Sequence, residues 1–416
     1  MKQRYELPVG WKQTMLKKLV NKDFKNGYSP NCPEKSNGNW ILSLGNLTEN
    51  GFDPTQAKPA PIDDARVKDF LLEFGDFLIS RSNTLDKVGR TMLFRDEIEN
   101  CSYPDLLIRF RVDENQVYRE YLESYLRSPQ VRKYIQSCAS GTSNTMVKIN
   151  KKVVEKIPII LPPYSEQKAI ADLLSTWDEA IEKTGRIIQA KKKHLNALYQ
   201  KFFVPRSSLN SHWKKVKIGS LLTSRNKRSI PTEACPLYSL TIEDGITEKT
   251  DRYNRQALVK DTNNKKYKIV FPNDIAFNPA NLRWGAIARS EVNHNVLISP
   301  IYEVLKINSN AVDVDFLTHL LTCPRQIGIY ATKTEGTLIE RMAVKLDAFL
   351  LLDILIPDNI NDQQQIAETL SAARQEIDLM KVLADKYKTQ KRGLMQRMLT
   401  GTWRAKPEIL NKYKEA

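Results

Sequence analysis

The sequence predicts an α+β protein of two pseudo-repeated α/β domains, separated by an intramolecular antiparallel coiled coil of two long helices. Three observations carry that prediction. Residues 165–203 and 361–399 align in one register, 196 positions apart: Gln167, Ile170, Ala171, Leu174, Ser175, Ile181, Leu198 and Gln200 recur as Gln363, Ile366, Ala367, Leu370, Ser371, Ile377, Leu394 and Gln396. Upstream, Tyr121-Leu122, Ser128-Pro129 and Gly141-Thr142 return as Phe316-Leu317, Cys323-Pro324 and Gly336-Thr337 at an offset of 195. Both long segments also carry apolar residues at alternating steps of four and three, the period of a coiled-coil seam. Solenoid units run roughly 20–50 residues, so this longer repeat is a duplicated domain-plus-helix unit.

Taken in order, the elements are a first domain over 1–160, a helix over 161–205, a second domain over 206–356, a second helix over 357–402 and a tail over 403–416. The first helix runs its seam through Ile170, Leu174, Trp177, Ile181, Thr184, Ile188, Lys191, Leu195, Leu198 and Phe202. The second continues the rhythm through Ile366, Leu370, Ala373, Ile377, Met380, Ala384, Tyr387, Lys391, Leu394 and Met398. Pro162-Pro163 and Pro357 forbid earlier starts. Ser165 and Asn361 are then expected N-caps, with Glu166 and Asp362 favoured by the helix dipole. Pro205 and Gly401 mark the ends. A lone helix with such a seam must pair, and the intervening domain makes the pairing antiparallel.

Each domain mixes strand-like runs with Asn-, Gly- and Pro-punctuated loops and closes on a short helix, near Tyr118–Leu126 and Val314–Leu321. Trp11 and Trp213, Ser43-Leu44 and Ser239-Leu240, Asp76 and Asp274, and Gly89 and Gly285 are shared landmarks. Between them the loops differ, as in two readers of different targets.

A net charge of +16, from 64 Lys and Arg against 48 Asp and Glu, points to a polyanionic partner. No apolar run reaches the roughly 18–20 residues of a membrane span. The N-terminus has no apolar stretch after its charges, so a cytoplasmic location is expected. The five cysteines are scattered and the four histidines form no ligand spacing, so neither a disulfide framework nor a metal site is expected.

Basic residues interleaved with Asn and aromatics crowd particular loops. In the first domain these are Arg81, Ser82, Asn83, Thr84, Lys87 and Arg90. The second has Arg225, Asn226, Lys227 and Arg228, then Arg252, Tyr253, Asn254 and Arg255, then Lys265 and Lys266, and then Asn278, Asn281, Arg283 and Trp284. Arg and Asn make bidentate bonds to guanine and adenine, and Lys and Arg neutralise phosphates, so the set is assigned to DNA contact. Leu161-Pro162-Pro163-Tyr164 lacks the Asn or Asp that an amino-methyltransferase loop needs, and Asn278-Pro279-Ala280 lacks its second proline. No phosphate-binding G-x-x-x-x-G-K-[ST] loop is present. Off the seam, Leu173, Ile187, Tyr199 and Phe203 on the first helix, and Leu379, Leu383, Met395 and Leu399 on the second, are expected to be exposed and to receive helices of a partner.

Ile157 through Ala171 (Ile-Pro-x-x-x-Pro-Pro-x-x-Glu-Gln-x-x-Ile-Ala in outline) and the ending Lys391–Gly401 resemble the conserved regions of type I restriction-modification specificity subunits. The resemblance covers the whole chain, with Asp362-Gln363 departing from Glu166-Gln167. It implies two target-recognition domains, each followed by a conserved spacer helix, in a non-catalytic subunit that reads a bipartite DNA site. It also implies two methyltransferase subunits and a restriction subunit as partners, with S-adenosylmethionine, ATP and Mg²⁺ used by those partners and no cofactor in this chain. Two other readings stay open: a coiled-coil scaffold that binds nucleic acid without sequence preference, and a stand-alone DNA-modifying enzyme.

Overall fold

The computed structural model describes residues 7–49, 51–141, 146–204, 212–248, 265–335 and 342–413. They divide into two compact units, 1–183 with 384–416, and 184–383. Pro205, Thr142 and Gly336-Thr337 lie outside the described residues.

In the first unit, Lys12–Met15 pairs antiparallel with Pro158–Leu161, tying the domain's two ends together. A four-stranded sheet follows in the order Val20–Asn26, Leu107–Val112, Phe77–Ser80, Thr91–Leu93. The central run Phe77-Leu78-Ile79 is wholly buried because both faces of the sheet are covered. Successive side chains point to opposite faces. Phe77 and Ile79 therefore join Phe110, Tyr121, Leu122 and Ile135 in one core, and Leu78 joins Leu42, Met92 and Tyr103 in another. The first face is covered by α1 (Arg119–Leu126) and α2 (Pro129–Cys138), with α3 (Lys151–Glu155) beside them. A small sheet of Lys58–Pro59, Trp40–Ile41 and Cys101–Ser102 lies on the second side. The long helix α4 (Tyr164–Phe203) begins in this unit.

The second unit repeats the frame. Trp213–Lys217 pairs with Asp353–Pro357, α5 (Ile218–Leu221) stands where the first unit has the 3-10 turn Leu16–Leu19, and a four-stranded sheet follows. Its order is Leu222–Ser224, Glu303–Ile307, Ile275–Phe277, Ile287–Arg289. Ile275 and Phe277 face α6 (Val314–Thr322), α7 (Pro324–Ala331) and α8 (Leu346–Leu350), while Ala276 faces the other core. That second side is built differently, from Arg228–Ser229, Tyr267–Val270 and Val296–Ile298 with the hairpin Tyr238–Thr241/Gly245–Glu248. Ser43 and Ser239 are thus not equivalent: Ser43 caps a 3-10 turn, whereas Ser239 sits within a strand.

The recurring glutamines have one structural task. Gln167 accepts the Tyr118 N–H at 2.8 Å and donates to the Pro162 carbonyl at 3.0 Å; Gln363 accepts from Asp313 N–H at 2.9 Å and donates to Pro357 at 2.9 Å. Each amide joins the last edge strand to the start of α1 or α6, satisfying backbone groups that burial would otherwise strand. The landmark aspartates also coincide. Asp76 accepts the Glu73 N–H at 2.9 Å and Asp274 the Phe271 N–H at 3.1 Å, closing the same turn before the central strand.

The last long helix is α9 (Ile360–Met398), followed by α10 (Pro407–Asn411). Both long helices start one residue before the expected caps. Pro163 accepts from Glu166 and Gln167 N–H at 2.9 and 3.0 Å, and the Asn359 side chain caps Asn361 N–H at 2.9 Å, so Ser165 and Asn361 belong to the first turn. Every seam position named from the sequence is buried or half-buried. Within the first unit Trp177 meets the Tyr387 ring at 5.7 Å and Asp178 bonds Lys391; within the second Lys191 meets Glu376 at 2.5 Å. The first unit sets the first half of α4 beside the last part of α9, and the second sets the last half of α4 beside the first part of α9, so the helices are antiparallel. Gly401 ends α9 at φ +76°.

Candidate nucleic-acid interface

In both units one turn projects from the four-stranded sheet between its last two strands, and in both it is held from below by the second helix of the domain. In the first unit it spans residues 81–90. Gly89 takes φ +71°, and a Cβ there would lie 2.5 Å from Ile135 of α2, so the turn sits directly on that helix. Arg132, also on α2, donates to the Asp86 carbonyl at 2.9 Å and to that of Val88, and Gln136 donates to Leu85 at 3.2 Å. Burial and the neighbouring Arg90 push the Arg132 guanidinium below its usual range. Three main-chain carbonyls are thereby fixed, and Lys87 is left exposed at the tip. Among the other sequence candidates, Ser82 is buried and Asn83 half-buried in a short strand against Val147–Lys148. Thr84 is half-buried, and its carbonyl accepts the Lys87 and Val88 N–H groups at 2.9 Å each. Arg81 and Arg90 are half-buried and donate to Asp105 and Leu47 carbonyls at 3.4 and 3.3 Å.

The second unit's turn, Asn278–Gly285, packs on its helix in the same way. Gly285 takes φ +94° with a virtual Cβ 3.0 Å from Ile327 of α7, and Leu282 is fully buried. Asn278 N–H donates to Ala286 at 2.9 Å, Asn281 accepts Trp284 and Ala286 N–H at 3.0 and 3.2 Å, and Val344 N–H reaches Pro279 at 3.0 Å. The result is a closed turn presenting Arg283 and Trp284, with the guanidinium 4.1 Å from the indole centroid.

A second group forms at a sheet edge of the same unit. Lys227 and Arg228 are exposed where Arg228–Ser229 pairs with Tyr267–Val270, and Lys265 and Lys266 lead into that partner strand, also exposed. Asn226 is exposed beside them. Arg225 does not belong to this surface: its guanidinium pairs with buried Asp274 at 3.1 Å and lies 4.4 Å over Phe271, so it holds the fold. Arg252, Tyr253, Asn254 and Arg255 lie outside the described residues.

The expectation that all eight off-seam apolar residues are exposed needs correction. Phe203 and Leu399 are 4% and 1% exposed within the two cores, and Tyr199 and Met395 are half-buried against them, because the C-terminal turns of α4 and α9 each dock on a domain. Leu383 is half-buried. Leu173, Ile187 and Leu379 are exposed, joined by Val382, which the sequence pattern did not single out.

Three polar groupings escaped the sequence reading. Glu166, 1% exposed, accepts the Trp11 indole N–H at 3.0 Å and the Arg404 Nε–H and Nη2–H at 2.7 and 2.8 Å; Asp362, its repeat partner, is exposed. Asp76 pairs with Arg111 at 2.9 Å and Arg109 at 3.5 Å. His319 bridges Tyr199 at 3.1 Å and Ser371 at 2.9 Å, and burial lowers its pKa to about 4. Among the described residues, no three His, Cys, Asp or Glu side chains are placed to hold a metal, and no helix is long and apolar enough to cross a membrane.

Residues 8–192 match the family described as the type I restriction modification DNA specificity domain. The chain is 25% identical over 222 residues to the putative type I restriction enzyme MjaX specificity subunit of Methanocaldococcus jannaschii, covering 52% of this chain and 51% of that protein. It is 27% identical over 198 residues to the type I restriction enzyme EcoKI specificity subunit of Escherichia coli, covering 46% and 42%. The matched stretches span about half the length of these relatives. In fold, the chain is similar to the S subunit of a type I restriction-modification system from M. genitalium, with TM-score 0.55, 13% identity and coverage of 96% and 98% of the two chains. A chain from a type I R-M structure concerned with complex assembly and conformational transition gives TM-score 0.56 and 12% identity, covering 96% of this chain and all of that one.

Proposed function

We propose that this chain, which matches the type I restriction modification DNA specificity domain over residues 8–192 and is similar in fold to type I S subunits, is the DNA-reading subunit of such a complex, each domain reading one half of a bipartite target. The single observation that supports this best is the pair of fastened turns. In each domain a core helix also holds a polar turn from below, and the turn anchors one apolar residue, Val88 or Leu282, in the core while its other side chains face outward or stay half-buried. Fixed backbone is what bidentate base contacts need, since ordering costs are met in folding rather than in binding. Lys87 and the half-buried Arg81 and Arg90 would serve the first half-site. Asn281, Arg283 and Trp284 would serve the second, and Lys227, Arg228, Lys265 and Lys266 would neutralise phosphates.

The chain would do no chemistry itself. Methyltransferase and restriction subunits would supply it, together with S-adenosylmethionine, ATP and Mg²⁺, in the cytoplasm. Leu173, Ile187 and Leu379 are exposed apolar side chains on helices whose seams are already occupied, which suits a partner's helices. A charge at Ile187 or Leu379 should abolish co-purification with the methyltransferase subunit while leaving the isolated chain folded; retained co-purification would remove that part of the proposal.

The function is tested by expressing the chain with its methyltransferase subunit in a host lacking other modification and mapping methylated positions. A two-part motif with an unread gap is expected. Methylation by the purified chain alone would favour the stand-alone enzyme, and binding indifferent to sequence at physiological salt would favour the scaffold.

A further inference from the structure

The second recognition turn carries a feature its counterpart lacks. Trp284 is 56% exposed, the most exposed of the chain's six tryptophans. An indole left in water at the tip of a turn forgoes a large apolar gain. The turn is nevertheless built to keep it there. Nearby Leu282 goes fully into the core, the Trp284 main-chain N–H donates to the Asn281 carbonyl at 3.0 Å, and Gly285 is pressed on Ile327 in a conformation that suits glycine. Arg283 lies over the ring and reaches Met342 Sδ at 3.3 Å, propping the indole from one side. In the first unit the residue before the matching glycine is Val88, fully buried; Leu85, Asp86 and Lys87 are exposed, and Lys87 stands where the second turn has Arg283. The two turns therefore share a cation but differ at the next residue: a buried valine in one, an exposed and braced indole in the other.

We propose that Trp284 is a specificity-determining wedge, entering one base step of the half-site read by the second domain while Arg283 engages the adjacent phosphate. This rests on the reading of the chain as a bipartite DNA reader. Apolar side chains that enter a base step partially unstack it and kink the duplex, and pyrimidine–purine steps yield most easily. The second half-site thus contains a TA or CA/TG step, and the first half-site, met by Lys87, is not kinked by this means.

The test uses the full chain with its methyltransferase subunit and duplexes carrying the mapped target, with 2-aminopurine placed singly along both half-sites. Wild-type protein should change the fluorescence of probes flanking one pyrimidine–purine step in one half-site. Trp284→Ala should remove that change and weaken binding to the target on the order of tenfold, with no comparable loss on a scrambled duplex. Trp284→Phe should keep the change and most of the affinity. Trp284→Ala with wild-type affinity and an unaltered probe profile would overturn the wedge and leave the DNA-reading function standing. Equal losses on target and scrambled duplex would also overturn it, since the indole would then contact backbone. Wild-type protein that does not separate target from scrambled duplex would overturn both.

Discussion

The two domains solve the same problems with different residues, and the differences show which parts of the frame are free to change. The turn before the central strand closes on an aspartate in each, Asp76 or Asp274. The cations that compensate it come from different strands: Arg109 and Arg111 lie on Leu107–Val112, whereas Arg225 follows Leu222–Ser224. The projecting turn rests through its glycine on an isoleucine in both domains, Ile135 or Ile327, and in the first Arg132 and Gln136 add hydrogen bonds. Backbone placement persists while the polar side chains that secure it are exchanged. The tips then vary independently of the frame, which is what separate half-site readers require.

The comparison can be broken at several points. The largest effect is expected at the aspartates. Asp76→Asn leaves Arg109, 8% exposed, without its carboxylate and Arg111 with only the exposed Glu73 at 2.9 Å, and breaking such a buried pair costs about 3–5 kcal/mol. Asp274→Asn strands one, and burial already pushes that carboxyl above its usual range against the pull of Arg225; about 1.5–3 kcal/mol is expected. Hydrogen exchange of the central strands of each domain measures both, and equal losses would erase the distinction.

Acid sharpens the comparison next. His319 has Ser124 as its repeat counterpart, so the second unit alone buries a neutral imidazole here. Its folded pKa of about 4 lies below the ordinary 6.5. Its penalty is absent above pH 6.5 and grows as pH falls towards 4, because the unfolded chain takes up a proton that the folded one refuses. The second unit should lose up to about 3 kcal/mol across that window, and His319→Gln should flatten the slope. A first unit that softens earlier would contradict this.

At the helix starts, Glu166→Gln removes the charge that receives Arg404 and should cost the first unit about 1.5–3 kcal/mol. Asp362→Asn, at an exposed position, should stay within about 0.5 kcal/mol. Smaller still in global terms is the loss of a turn's fastening. Arg132→Ala should raise amide exchange of Leu85–Arg90 about tenfold or more, the equivalent of about 1.4 kcal/mol, and leave the Asn278–Gly285 turn unchanged.

Much of this frame was visible in the residues. The 3.5-residue seam placed both helices, and the recurring Gln167 and Gln363, Asp76 and Asp274, and Gly89 and Gly285 marked equivalent points, because buried amides, turn-closing carboxylates and left-handed glycines tolerate few substitutes. The Ser43 and Ser239 match was accidental, since two serines in different elements share no such constraint. Arg225 looked like a DNA contact because a cation's partner 49 positions away leaves no local pattern. Arg132 and Gln136 were missed for the same reason, and so was the Glu166–Arg404 pair. Phe203 and Leu399 fell off the seam because the last turns of each helix face a domain rather than the other helix. A heptad count registers one partner surface only.

The most direct test of independent half-site reading is a methylome. The chain carrying Asn281→Ala, expressed with its methyltransferase subunit, should methylate a motif relaxed at one position of one half, with the other half and the gap between them as in the wild type. A lost bidentate contact of about 1–3 kcal/mol is enough to make that relaxation visible. A motif altered in both halves would contradict separate readers, and an unchanged motif would remove Asn281 and its turn from DNA recognition.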